Sequence, residues 1–389
     1  MKKRAIIECG VAQTRAALLI GDDVWKFWFG PAIGDEATDI FPAAGRRFAG
    51  RVRRVDLALN AVFVDLGEGA DGFLPLKKSI EARCHEGALI EVEIKSPPRQ
   101  GKGPQLRFAG DAPKASSPGR LPPFVSPVIE AAQMIGADAD EIIVDQGAAR
   151  VLLEQAGFQH VTHDGRGASL FEKHGAEAQL SNAFNRAVPL KRGGHLFIDE
   201  AQALTAIDVD TGTLGALSSE RLREKISVAA ADEAIRQLSL RDIGGQIVID
   251  FPPISGEGAR KRFQERLWQS MARLEATSAA GFAKSGLFCF TKTHKQRSML
   301  ERFTQSSSAE PVAGRVFTVE AKTVAAMIAL EARLRSAPTK DIQLAVGSAL
   351  AAHLESQPQW TERLTHLYGA RFQIDTTTGI GERDFDLSE

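Results

Sequence analysis

The sequence predicts a protein of α/β class (α+β, multidomain), in which a small β-barrel precedes a region of alternating strands and helices. The chain has 389 residues, and at roughly 150 residues per domain this length corresponds to two or three domains. Residues 46–110 contain closely spaced strand-like stretches with glycine-rich turns, which is typical of a small barrel. From about residue 126 strand-like and helix-like stretches alternate, which favours α/β layers.

The predicted elements follow from apolar runs and their spacing. Before the barrel, strand-like stretches lie at 5–8 and 16–20. Residues 111–125 are rich in Pro, Ser, Ala and Gly, which is typical of a linker. Beyond it the pattern predicts helices near 128–135, 148–155, 219–240 and 258–275, and strands at 141–144, 195–198, 203–209 and 246–251.

Overall composition excludes several classes of protein. Lys plus Arg is 48 and Asp plus Glu is 49, so the chain lacks the global positive charge of a simple nucleic-acid binder. Cys9, Cys84 and Cys289 are too few and too scattered for a disulfide framework or a thiolate zinc site. No apolar run approaches 18 residues, so we expect no membrane span and a cytoplasmic location.

The predicted barrel offers a candidate surface for RNA. Val62 and Val64 share one face of a strand, and Phe63 therefore lies on the other, polar face. Phe73 also lies outside any apolar stripe, and the barrel carries 12 basic residues against 8 acidic ones. Two outward aromatic rings on a basic barrel would stack on unpaired bases. The alternative is that both rings pack under a loop of the same domain.

A pair of carboxylates is the candidate catalytic site. Asp208 and Asp250 each close an apolar run that is predicted to be a buried strand. Polar sites gather at the carboxyl ends of strands in α/β sheets, and two carboxylates can hold one Mg²⁺ ion. Asp210 points to the same side as Asp208 and could join them. The alternative is that these aspartates cap the turns that follow.

Positive charge is concentrated in residues 256–297, with nine basic residues against three acidic ones. Arg260, Arg266 and Lys292 represent this segment, which would suit a polyanionic substrate near the carboxylates. A solvated helix face is the alternative for part of it. The eight histidines show no metal-ligand spacing.

Three stretches resemble one known family over most of the chain. The closest stretches are 50–76, which ends in Gly-Phe-Leu-Pro-Leu, 193–212 around Asp208, and 230–251, which ends beside Asp250. They are similar to the catalytic half of the ribonuclease E and ribonuclease G endoribonucleases. The resemblance implies an S1 OB-barrel inserted in an RNase H-like domain, followed by a DNase I-like catalytic domain and a small C-terminal α/β domain.

The resemblance also implies domain boundaries. By similarity, the chain divides into RNase H-like pieces at 1–45 and 126–195, an S1 domain at 46–110, a linker in place of the family's 5′ sensor at 111–125, a catalytic domain at 196–300 and a small C-terminal domain at 311–389.

Family roles follow for individual positions. The matching positions make Asp208 and Asp250 the Mg²⁺ ligands, with Mn²⁺ as an alternative ion. Phe63, Phe73 and Lys102 fall on the S1 positions that grip RNA near the cleavage point.

Several departures from the family pattern carry expectations of their own. The 5′ sensor is absent from its place, so sensing of a 5′-monophosphate is expected to be lost. No Cys-Pro-x-Cys link stands near 300–310, so structural zinc and a zinc-bridged dimer are not expected. A homodimer through other surfaces stays open as an alternative. Asp210 replaces the usual Asn, which could tighten metal binding or repel the phosphate. The disordered scaffold tail of ribonuclease E is missing, so no degradosome platform is expected.

The leading hypothesis is therefore a Mg²⁺-dependent endoribonuclease that cuts single-stranded RNA. An RNA-binding paralogue with weak or no cleavage is the alternative, because of Asp210 and the missing sensor. A third hypothesis is cleavage of only one structured RNA.

Overall fold

The computed structural model describes residues 1–35, 44–67, 69–98, 102–111, 114–122, 124–191, 193–212, 220–274, 277–307, 314–376 and 379–389. Its strands are β1 (Lys3–Cys9), β2 (Gln13–Ile20), β3 (Asp23–Pro31), β4 (Arg47–Asp56), β5 (Ala61–Asp65), β6 (Gly72–Pro75), β7 (Leu89–Ser96), β8 (Gln105–Gly110), β9 (Gly119–Arg120), β10 (Glu141–Val144), β11 (Val161–His163), β12 (Ala187–Pro189), β13 (His195–Glu200), β14 (Thr205–Asp210), β15 (Gly245–Asp250), β16 (Thr277–Phe282), β17 (Phe288–Lys292), β18 (Thr304–Ser306), β19 (Arg315–Phe317), β20 (Ile342–Val346), β21 (Phe372–Asp375) and β22 (Phe385–Ser388).

Its helices are α1 (Pro127–Ile135), α2 (Gly147–Gln155), α3 (Leu170–Lys173), α4 (Ala176–Asn182), α5 (Glu220–Leu240), α6 (Glu257–Met271), α7 (Met299–Phe303), α8 (Val319–Ser336), α9 (Ser348–Glu355) and α10 (Pro358–Tyr368). Helices and several sheets together confirm the predicted α+β class. Part of the expected zinc-link position, residues 308–310, lies outside the described residues.

The chain forms two compact units, and each is assembled from separated segments. The first unit contains residues 1–41, 121–179 and 300–389, and the second contains 42–120 and 180–299. The domain names implied by the family resemblance remain predictions.

A five-stranded sheet lies at the centre of the first unit, in the order β11-β10-β1-β2-β3. β1 pairs antiparallel with β2 and parallel with β10, so the sheet combines residues 3–31 with residues 141–163. β3 was not predicted, although its Phe27 and Trp28 are buried. A second sheet, β21-β20-β22, packs with α8, α9 and α10 around a separate apolar core.

A buried ionic cluster joins distant segments of the first unit. Asp145 accepts a hydrogen bond from the amide of Cys9 at 2.9 Å, and Glu331 accepts one from the amide of Val11 at 3.0 Å. Arg335 donates to both carboxylates, at 3.2 and 3.3 Å. Burial raises the pKa of Asp145 and of Glu331, while the positive charge of Arg335 acts in the opposite direction. The cluster therefore depends on the cation to keep both carboxylates ionised.

The second unit begins with a barrel whose strands follow the order β5-β6-β8-β7-β4-β9, closed by pairing between β5 and β4. β9 falls inside the predicted linker, so that prediction is wrong for residues 119–120. Arg120 and Gly119 pair with Phe48 and Ala49 of β4. One edge of β4 pairs with β7, and the backbone groups on its other edge also need partners. Residues 119–120 supply these partners at Phe48 and Ala49, although the linker is rich in Pro and Ser.

The remainder of the second unit is a six-stranded sheet in the order β12-β13-β14-β15-β17-β16. α5 and α6 cover one face, where Ile207 and Ile249 pack with Ile226 and Leu267 in a continuous core. Side chains that alternate with these residues point to the opposite face, and this face is called the open face below.

Among the residues that the structure describes, no helix has both the length and the apolar character needed to cross a membrane.

The ionic cluster generates a prediction about stability. Replacing Arg335 by Met leaves Asp145 and Glu331 buried without their cation, which costs about 3–5 kcal/mol in the free energy of unfolding. Carboxyl groups with a raised pKa in the folded state stabilise the protein at low pH, and this contribution is lost as pH rises through the folded pKa. The loss caused by Arg335→Met is therefore expected to be larger at about pH 8 than at about pH 5.

Urea unfolding followed by circular dichroism measures this loss. Arg150→Ala is the matched control, because it removes an exposed pair with Glu154 on α2 and is expected to cost about 0.5 kcal/mol or less. An Arg335→Met protein as stable as Arg150→Ala at both pH values would show that the cluster is dispensable.

Candidate active site

Asp208 and Asp250 lie directly beside each other. β14 and β15 are parallel, and their register pairs Ile207 with Ile249 and Asp208 with Asp250. The isoleucines are buried against the helices, whereas both aspartates are exposed on the open face. Neighbouring strands lie about 4.8 Å apart, so the two carboxylates can bind one small cation together.

Asp210 lies on the same face, two residues beyond Asp208. Its Oδ1 accepts a hydrogen bond from the amide of Gly212 at 2.8 Å. The alternative interpretation, that these aspartates cap turns, therefore holds for one oxygen of Asp210.

The Gly193-Gly194 pair permits the chain to enter β13 beside this site. Gly194 has a φ of +84°, and a Cβ atom there would collide with the carbonyl oxygen of Asp210. Only glycine tolerates both the conformation and the contact. The next residue, His195, pairs with Asp210 across β13 and β14.

Sequence reasoning missed two residues of the site, Phe197 and Arg186. Phe197 pairs directly with Asp208, and the guanidinium carbon of Arg186 lies 5.0 Å from the centre of its ring. The missed signal was alternation in β13: Leu196 and Ile198 are buried, which directs Phe197 to the open face.

An open cleft of about 340 Å³ runs along this face, lined by Phe197, Asp208, Asp210, Asp250, Pro252 and Pro253 among others. Oxygen ligands and an open approach suit Mg²⁺, which binds through one or two carboxylates and keeps several waters. Asp208 and Asp250 fit this requirement. Within the described ranges, no group of three or more His, Cys, Asp or Glu side chains is arranged to hold a metal.

Two of the three predicted basic residues lie away from the carboxylates. Arg266 forms an ion pair with Asp232 at 2.9 Å on the helix layer, which covers the opposite face of the sheet. Lys292 donates to the carbonyl of Ile243 at 2.9 Å and pairs with Gly245, at the opposite end of β15 from Asp250. Arg260 is exposed near the start of α6.

The barrel carries its two predicted aromatic residues side by side. Phe63 and Phe73 pair across β5 and β6, with ring centres 6.1 Å apart and planes at 81°. Both are half-buried, whereas Val62 and Val64 are fully buried, which confirms the predicted alternation. The guanidinium of Arg54 lies 4.4 Å from the Phe63 ring. Lys102 is exposed and lies shortly before β8 in the chain. In the barrel, β8 is the neighbour of β6, the strand that carries Phe73.

Comparison with known proteins places this site in a family context. The model of the ribonuclease E/G family matches residues 129–295, which include both aspartates. Ribonuclease G of Escherichia coli is 33% identical over 132 residues, which cover 33% of this chain and 27% of that protein. Ribonuclease E of the same organism is 40% identical over 119 residues, 29% of this chain and 11% of that protein.

A ribonuclease E/G-like chloroplastic protein of Arabidopsis thaliana is 29% identical over 163 residues, which cover 41% of this chain and 16% of that protein. The matched segment thus spans about a quarter or less of the length of these relatives. Over residues 129–295, which carry the paired aspartates, this chain is similar to the ribonuclease E/G family.

Proposed function

We propose that this protein is a Mg²⁺-dependent endoribonuclease that hydrolyses phosphodiester bonds in single-stranded RNA, in RNA processing or decay. The observation that carries the proposal is the register of Asp208 with Asp250 on an exposed sheet face. The ribonuclease names of its relatives and the aromatic barrel surface support it.

Asp208 and Asp250 hold the ion in this proposal. A bound Mg²⁺ supplies positive charge at the scissile phosphate and activates a water molecule for attack. Asp210 fixes the turn through Gly212 and adds negative charge at the edge of the site. The open cleft leaves room for an extended strand of RNA to approach both carboxylates.

The barrel holds the RNA in this proposal. Phe63 and Phe73 contact bases, and Lys102 contacts a phosphate. Arg260, near the start of α6, contacts another phosphate. We further propose the S1, RNase H-like and DNase I-like assignments implied by the family, a cytoplasmic location, and activity without a structural zinc ion.

The aspartate pair generates the first prediction. Asp250→Asn and Asp208→Asn each remove one charge from the ion site, so cleavage of a single-stranded RNA is expected to slow by about 100-fold or more, equivalent to about 2.7 kcal/mol. Initial rates at matched Mg²⁺ measure the effect. Glu265→Gln, an exposed carboxylate on α6, is the control and is expected to keep full activity. Full activity in Asp250→Asn would contradict the proposed mechanism.

The missing sensor generates the second prediction. An A/U-rich, unstructured RNA is expected to be cut equally fast with a 5′-monophosphate and with a 5′-hydroxyl, and Asp208→Ala is expected to cut neither. Faster cutting of the monophosphate form would show that another part of the chain senses the 5′ end.

The same assay decides between cleavage and binding alone. If wild type binds this RNA but leaves it intact in Mg²⁺ and in Mn²⁺, the protein belongs to the class of RNA-binding paralogues.

The barrel generates the third prediction, which separates stacking from charge. Phe73→Ala removes a stacking ring, so RNA affinity is expected to fall about 5- to 100-fold without a change in its salt dependence. Lys102→Ala removes one phosphate contact, so the slope of log affinity against log salt concentration is expected to shrink by about 0.7.

Binding titrations with labelled RNA at several salt concentrations measure both effects. Val151→Ala, an exposed apolar side chain on α2, is the control for loss of an apolar group. An unchanged affinity in Phe73→Ala would place the RNA elsewhere on the molecule.

A further inference from the structure

One row of residues crosses four neighbouring strands on the open face of the six-stranded sheet. The registers pair Ala187 with Phe197, Phe197 with Asp208, and Asp208 with Asp250. Directly paired residues point to the same face of a sheet. The backbone of Phe197 is therefore one strand, about 4.8 Å, from that of Asp208.

Phe197 is not needed for the core of the second unit. That core lies on the other face, and Phe197 is not one of its members. The ring is instead half-buried and lines the cleft with both carboxylates. The part of the ring that stays exposed therefore faces the same cleft as the two carboxylates.

Arg186 is held over this ring in a fixed orientation. Its Nε and one terminal nitrogen donate to the two oxygens of Asp199, at 2.5 and 2.7 Å. The bidentate pair orients the planar guanidinium, whose central carbon lies 5.0 Å from the Phe197 ring centre. Asp199 balances the charge of Arg186. A ligand would therefore contact the flat face of the guanidinium by stacking, and its attraction to the positive charge would be weaker.

The neighbours of the pair are one small residue and one further aromatic ring. Ala187 lies on the side of Phe197 away from Asp208. The His195 ring lies along the strand, with its centre 6.1 Å from that of Phe197 and its plane tilted by 30°. Aromatic rings and guanidinium planes are the two surfaces on which unpaired RNA bases stack.

We propose that Phe197 and Arg186 form a base-stacking subsite that holds one nucleotide of the RNA next to the Asp208 and Asp250 pair. This inference rests on the proposed function and adds to it a contact that positions the strand at the point of cleavage. The barrel then binds one part of the RNA, and the catalytic sheet binds another.

The test measures binding without cleavage. A fluorescein-labelled, A/U-rich single-stranded RNA is titrated in EDTA, followed by a series in which one base at a time is replaced by an abasic ribose. Wild type is expected to lose about 5-fold or more in affinity when the stacked base is removed. In Phe197→Leu, which keeps an apolar side chain but has no ring, that same abasic substitution is expected to cost nothing further.

Matched variants identify the subsite. Phe197→Trp restores a ring and is expected to restore the penalty. Arg186→Lys keeps the charge but loses the plane, and it is expected to reduce the penalty at the same RNA position. Gln246→Ala, which lies on the open face at the other end of β15, is expected to behave as wild type. In Phe73→Ala, the abasic substitution that no longer lowers affinity is expected to lie at a different position of the RNA.

The outcomes separate this inference from the proposed function. If wild type binds RNA and every abasic penalty is the same in Phe197→Leu, the subsite does not exist, whereas the proposed function stands. If wild type binds no RNA, both are overturned. Circular dichroism of each variant confirms that a lost penalty does not arise from loss of the fold.

Discussion

The six-stranded sheet of the second unit depends on the parallel register between β14 and β15. Buried Ile207 and Ile249 lie side by side against the helices, and a shift of one residue would turn these side chains to the open face. The apolar core therefore fixes the position of Asp208 against Asp250 more firmly than any contact between the aspartates, which repel each other. Like charges on neighbouring strands cost free energy, and burial of the isoleucines offsets that cost.

The aspartate pair and the barrel aromatics could be predicted because their signals are local. Alternation within a single strand directs Asp208 outward and Ile207 inward, and the same argument applies to Phe63 between Val62 and Val64. The prediction also needed β14 and β15 to be neighbours. The strand-helix-strand order of the sequence favours this, because it produces adjacent parallel strands.

The remainder of the site could not be predicted, because it depends on registers between strands that are distant in sequence. Phe197 reaches the aspartates through an antiparallel pairing of β13 with β14, and Arg186 reaches Phe197 from the turn before β12. The net positive charge of residues 256–297 also gave no guide to position. Arg266 pairs with Asp232 on the helix layer, and Lys292 lies at the end of β15 opposite to Asp250. A count of charges along the sequence contains no information about the face or the end of a sheet.

The bonds of the buried ionic cluster determine the order in which the chain can fold during synthesis. The amide of Val11 finds its acceptor in Glu331, 320 residues later, and at 5–20 residues per second a ribosome needs about 15–60 s to make that stretch. The second unit ends at residue 299, so it is complete while the first unit still lacks its last segment. The six-stranded sheet can therefore form on the ribosome before Val11, in the loop after β1, has its final partner.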